Sequence, residues 1–170
     1  MLEKNIALIG FMGSGKSVAG RLLADALSAE FADSDDEIVN SAGMTIAEIF
    51  EKYGEPHFRL LEKQTIARLC ARKGIVLATG GGAILDSDNI AALKGSCIVV
   101  FLDVPAAEIS ARLGGDNTRP VLAGNTALEN IKEKLQKRVP LYRGAADITV
   151  SCGARAPEDI CGEIMKLINP

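Results

Sequence analysis

Residues 5–27 read NIALIGFMGSGKSVAGRLLADAL, and no other stretch limits the folds open to this chain so sharply. The run Ile6-Ala7-Leu8-Ile9 is apolar without alternation. That fits a strand buried on both faces, as in a parallel sheet with helices above and below it. The run passes directly into a loop carrying Gly10, Gly13 and Gly15, and then into a mixed apolar and polar stretch of helical period. A buried strand broken by glycines, with Lys16 where the helix starts, points to a backbone shaped around a ligand.

The loop Gly10-Phe11-Met12-Gly13-Ser14-Gly15-Lys16-Ser17 fits G-x-x-x-x-G-K-[ST], and it stands between a strand and a helix as that pattern requires. Glycines let the loop wrap with its N–H groups turned inward, where they and the positive end of the helix bind phosphate oxygens. Lys16 can reach the β and γ phosphates, and the Ser17 hydroxyl can ligate Mg²⁺. The expected nucleotide contacts are Gly13, Ser14, Gly15, Lys16, Ser17 and Val18, and the expected ligand is a nucleoside triphosphate.

The rest of the chain repeats the alternation. Strand-like runs fall at 5–9, 30–32, 75–78, 97–102 and 148–150. Helical patterns occupy 16–28, 36–41, 45–53, 56–72, 86–93, 105–113, 126–142 and 157–167. The expected architecture is α/β: an open parallel sheet of five strands with helices on both faces, in three layers. Ligands of such sheets sit beyond the carboxyl ends of the strands. GFMGSGKS, ADSDDE and TGGG follow the first three strands at those ends.

Composition sets outer limits. A chain of 170 residues is long enough for one domain with a full core. Its mean hydropathy is +0.17, and no apolar run approaches the roughly 20 residues of a membrane helix. The net charge of −3 favours neither nucleic acid nor an anionic membrane, so any anion site must be local. Cys70, Cys97, Cys152 and Cys161 lack metal-like spacing and are expected as buried, reduced thiols. A strand begins almost at once, leaving no room for a targeting segment, and a cytoplasmic location is expected.

Beyond the phosphate loop the sequence carries FADSDDEIV, GEPHFRLLE, TGGGAI, GGDNTRPVL and KRVPLYRGAAD, in that order. The ordered set resembles the shikimate kinase family, whose members phosphorylate the 3-hydroxyl of shikimate with ATP. The likeness runs from the first strand to about Asp147. It implies ATP and Mg²⁺ as cofactors, shikimate as the small-molecule acceptor, and a monomer that needs neither nucleic acid nor membrane.

The resemblance also distributes roles. Metal falls to Ser17 and Asp33, and the acceptor's hydroxyls to Asp35, which would orient the attacking one, with or without taking its proton. Arg59, Arg138 and the backbone of Gly80, Gly81 and Gly82 would converge on the acceptor carboxylate, which forked guanidiniums suit. Phe50 and Phe58 are candidates for an apolar wall, though each alone reads more readily as core. Residues 114–124 have the glycines and polarity of a lid carrying Arg119, which would stabilise charge on the transferring phosphoryl group. Arg112 matches the family position that packs against adenine. Lys16, Asp35 and Arg119 form the expected catalytic set, with an acceptor region at about 33–62.

Plainer readings stand beside these. Asp35 before DEIV would make a helix N-cap, and Arg59 with Glu62 an i, i+3 surface ion pair. Asp103 ends an apolar strand like a metal-binding aspartate, but Val104-Pro105 gives it a turn role. His57, the only histidine, receives no catalytic role. A nucleoside monophosphate or gluconate kinase is the nearest rival, and an ATP-switched regulatory module a more distant one. Against the rivals stand the absence of Trp, the set of Arg59, TGGG and Arg138, and an intact lid arginine beside paired carboxylates.

Overall fold

The computed structural model describes residues 4–113 and 128–168. Five parallel strands, β1 (Asn5–Ile9), β2 (Glu30–Asp33), β3 (Ile75–Ala78), β4 (Cys97–Asp103) and β5 (Ile148–Ser151), lie in the order β2-β3-β1-β4-β5. The helices are α1 (Lys16–Leu27), α2 (Ser34–Ala42), α3 (Ile46–Cys70), α4 (Ser87–Ser96), α5 (Ala106–Leu113), α6 (Leu128–Ala145) and α7 (Pro157–Ile168). A short 3₁₀ turn at Ala83–Leu85 follows β3. The expected α/β sheet is therefore present, with each strand within one residue of its expected bounds. The expected lid at 114–124, and Arg119 with it, lie outside the described residues.

The order places β1 in the middle, between β3 and β4, and every one of its residues is buried. The chain moves to one side of β1 to make β2 and β3, then to the other for β4 and β5. Such a reversal opens a crevice at the carboxyl ends of the strands. The loop after β1 empties into it. Helix α1 packs through Ala19, Gly20, Leu23 and Ala24, a stripe of helical period. At Gly20 the fit is so close that a Cβ would lie 2.5 Å from the Phe31 ring.

Helix α3 joins the two helical runs expected at 45–53 and 56–72. It opens with a capping box between Thr45 and Glu48, and it kinks at Gly54, whose φ of 79° leaves the helical region just before Pro56. The kink folds the α2–α3 segment over a small separate core of Ile38, Ile49 and Phe58, edged by Phe50 and Leu61. The main core surrounds the sheet. Phe50 and Phe58 pack at 4.9 Å with their rings tilted by 41° within the small cluster, so the core reading describes both. All four cysteines are buried and unpaired. Among the described residues no helix is long and apolar enough to cross a membrane.

Candidate active site

A cleft of about 690 Å³ opens at the carboxyl edge of the sheet, from the phosphate loop past Asp33 and Asp35 to Gly81. Gly13 and Gly15 adopt φ values of 74° and 87°, the left-handed region that glycine enters without a Cβ penalty. Lys16 is buried, and its ammonium donates to the carbonyls of Gly10 at 3.0 Å and Phe11 at 2.9 Å. The loop's own carbonyl oxygens thus hold the ammonium inside the glycine turn.

Ser17 donates its hydroxyl to Asp33 Oδ2 at 2.6 Å. Hydroxyl and carboxylate oxygens suit Mg²⁺, which keeps several waters and takes one or two protein oxygens besides the phosphates. Among the described residues no three His, Cys, Asp or Glu side chains gather as a metal cage. The Ser17–Asp33 pair therefore fits a metal shared with a nucleotide.

The N-cap weighed as the plainer reading of Asp35 belongs to Asp33. Helix α2 starts at Ser34 without a loop, and Asp33 Oδ1 accepts from the Asp35 N–H at 3.0 Å. Capping thus occupies one oxygen of Asp33, and the Asp35 side chain lies half-buried on the cleft wall. The strand ends one residue later than its composition suggests, which moves the cap with it.

The three glycines after β3 have ordinary backbone angles and are needed for space. A Cβ at Gly80 would sit 2.7 Å from Asp35 Oδ1 and 2.8 Å from Glu62 Oε1. At Gly81 it would meet the Met12 amide at 3.0 Å, and at Gly82 the Arg59 guanidinium at 2.5 Å. The run is thus the floor on which Asp35, Glu62, Arg59 and the phosphate loop meet. The Gly80 N–H is already donated to the buried Ser34 hydroxyl at 2.9 Å.

Glu62 is the residue that sequence reasoning undervalued. The expected surface ion pair with Arg59 is a deep one: the Glu62 side chain is 1% exposed and accepts from Arg59 Nη1 at 2.8 Å. Arg59 also donates to Glu55, at 2.9 Å. Burial raises the Glu62 carboxyl above its ordinary value, outweighing the opposing pull of Arg59, and the nearby charges of Asp35 and Asp86 add to the rise. The spacing showed that Arg59 and Glu62 share a face, but not that the glycine run covers it.

Arg138 lies on α6 with its guanidinium 5.5 Å from the ring centre of Phe11 in the phosphate loop. Arg112 donates to the Gly13 carbonyl at 3.2 Å and sits beside Glu108. At that end the cleft is completed by Arg155, Pro157 and Ile160 after β5, which no sequence motif marked. Asp103 pairs with Arg143 of α6 at 3.2 Å, so its role is structural, through a partner more distant than the adjacent turn. His57 is exposed and packs on Tyr53 at 4.8 Å.

A phosphate loop at the reversal of a five-stranded parallel sheet, with two aspartates on the same cleft and a half-buried arginine paired to a buried glutamate at the glycine run, defines a P-loop kinase of a small acceptor. The family profile described as shikimate kinase matches residues 12–169, and the chain belongs to that family. A shikimate kinase of Persephonella marina is 43% identical over 162 residues, 95% of this chain and 97% of that protein. One of Caldicellulosiruptor bescii is 39% identical over 164 residues, 96% and 95% of the two chains. The solved shikimate kinase of Acinetobacter baumannii in complex with shikimate superposes with a TM-score of 0.94 at 42% identity, covering 97% of this chain and 92% of that one. The protein is a phosphotransferase that uses ATP with Mg²⁺ and acts on a shikimate hydroxyl.

Proposed function

We propose that this chain transfers the γ-phosphoryl group of ATP to the 3-hydroxyl of shikimate, giving shikimate 3-phosphate and ADP, and that the cleft described above is where it does so. The observation that carries the assignment is the continuity of the cleft, which puts Lys16, Asp33, Asp35 and Gly81 on one wall. The amides of Gly13 to Val18 and Lys16 hold the phosphates. Arg112, with Arg155 and Pro157, takes the nucleobase end. Ser17 and Asp33 would hold Mg²⁺, which would supply neutralisation of phosphate charge.

Asp35 accepts a hydrogen bond from the acceptor hydroxyl and aims it in line with the γ phosphorus, whether or not it takes the proton outright. Arg59 and Arg138 face the acceptor carboxylate, and Gly81 and Gly82 let the ring approach the backbone. Arg119, on the 114–124 stretch that sequence alone marks as a lid, supplies the last positive charge. Positioning and fixed charge account for most catalysis of this kind. The reading is of a monomeric, single-domain enzyme of the cytoplasm.

A coupled ADP-release assay with shikimate, gluconate, a nucleoside monophosphate or no acceptor tests the substrate. Turnover should appear with shikimate alone. Arg59→Ala and Arg138→Ala should each raise the KM for shikimate about tenfold or more, because a charged partner is lost. ATP affinity should change far less in Arg59→Ala. Equal loss of both ligands in that variant would remove Arg59 from the acceptor side.

A further inference from the structure

Tyr142 is among the largest fully buried side chains of the protein, yet its hydroxyl faces the site rather than the core. It lies on α6, one helical turn after Arg138, and its ring stacks on Phe101 of β4 with centroids 5.0 Å apart and planes 13° apart. Its hydroxyl donates to the Gly81 carbonyl at 2.5 Å, across 61 residues of chain. Arg138 places its positive charge beside the same phenol. Gly81 in turn lies against the Met12 amide, and Arg138 over the Phe11 ring. The phenol oxygen is thus bonded to the glycine run with the charge of Arg138 beside it, at the seam with the phosphate loop.

We propose that Tyr142 is a positioning residue for the phosphoryl acceptor: it fixes the Gly80–Gly82 backbone and the Arg138 guanidinium relative to one another, so that both meet the acceptor carboxylate at once. The inference rests on the acceptor roles proposed above for Arg138 and the glycine run. The ring alone would serve packing, since Phe101 stacks with its face and needs no hydroxyl. Burial pushes the phenol up to about 12, against the lowering effect of Arg138, so the hydroxyl stays a neutral donor throughout the working range. A donor with a fixed proton can hold the Gly81 carbonyl while its lone pairs stay open to the neighbouring guanidinium. Phenylalanine could do neither.

The experiment is steady-state kinetics on Tyr142→Phe, Phe101→Leu and Arg138→Ala, each varied in shikimate and in ATP, with melting temperatures alongside. Tyr142→Phe keeps the ring and its stack, and it should raise the shikimate KM about tenfold, the usual cost of stranding a buried hydrogen-bonding group. The ATP KM should stay within about twofold, and kcat should fall less than the shikimate KM rises. Phe101→Leu loosens the stack without touching the hydroxyl. It should lower the melting temperature without that selective rise, which separates positioning from packing. If Arg138→Ala raises the shikimate KM and Tyr142→Phe does not, the Tyr142 inference fails alone. A Tyr142→Phe effect shared equally between the two substrates, or matched by Phe101→Leu, would also sink it. Should Arg138→Ala leave the shikimate KM unchanged, the acceptor-site reading falls and takes this inference with it.

Discussion

Around Lys16 the groups assigned above to the ATP phosphates come from one short length of chain, residues 13 to 18, and most of them are backbone. Around Arg59 they are side chains, gathered from α2, α3 and α6 against a glycine floor, from Asp35 to Arg138. The first region stands on β1, which is wholly buried in the main core. The second hangs largely on the small Ile38, Ile49 and Phe58 cluster, beyond a helix kinked at Gly54. A backbone site depends on a few conformations that only glycine enters easily, and tolerates change elsewhere. A side-chain site depends on ion pairs and close packing, so any member can misplace another. Donor and acceptor binding should therefore break in different ways.

The largest effect should come from the donor side. Lys16→Ala removes the one side-chain charge the loop supplies, and kcat should fall about 10³-fold, the scale of losing a preorganised charge stabiliser. Leu8 and Leu23, fully buried on either side of the loop, are untouched, so the fold should persist. Circular dichroism and single-turnover kinetics check both halves of the claim. Turnover within about tenfold of the parent, in a folded variant, would take Lys16 out of the mechanism.

The acceptor side should answer with binding rather than rate, and Gly82→Ala isolates that. At Gly82 φ is −100°, which an alanine adopts without strain, so the only consequence is the new Cβ. That atom would lie 2.5 Å from Arg59 Nη1 and 2.7 Å from Nη2, and the guanidinium, the free end of a long side chain, must move. The shikimate KM should rise about tenfold while the ATP KM and the melting temperature change little. A large loss of stability would mean that Gly82 serves the fold. Unchanged kinetics would mean that the position of Arg59 does not matter.

The same contrast explains what could be read from the sequence. The phosphate loop is contiguous, and its chemistry is written in one pattern between a strand and a helix. The sheet was legible because runs such as Ile6 to Ile9 and Val99 to Leu102 have no other use for so much apolar surface. The acceptor site was legible only as a list of residues. That Glu62 is buried, that Gly82 abuts Arg59, and that Tyr142 reaches Gly81 are facts about elements packed together from distant parts of the chain. Periodicity says which residues share a helix face, and nothing about what covers that face. Asp33 took the cap weighed for Asp35 for a smaller reason: β2 runs one residue further than its apolar pattern. Arg155, Pro157 and Ile160 escaped notice because a wall needs shape rather than a motif.

The smallest expected effect tests the electrostatics beneath Arg59. Burial holds the Glu62 carboxyl above its ordinary 4.5, and Arg59 only partly offsets it, so the folded state prefers the neutral acid more than the unfolded chain does. A raised folded value adds stability that is complete below the unfolded value and drains away as pH rises through the folded one. The Glu62 Oε1 atom, buried without a hydrogen-bond partner among the described residues, agrees with that preference. Glutamine resembles the neutral acid at every pH. The melting temperature of Glu62→Gln should therefore match the parent at about pH 4 and gain on it by a small margin toward about pH 8. Over the same range the variant should bind shikimate less well, because an amide holds Arg59 more weakly than a carboxylate does. Thermal melts of both proteins across that window decide the matter. If the margin instead moves toward the parent as pH rises, the attraction of Arg59 outweighs burial, and Glu62 stabilises the fold as an anion.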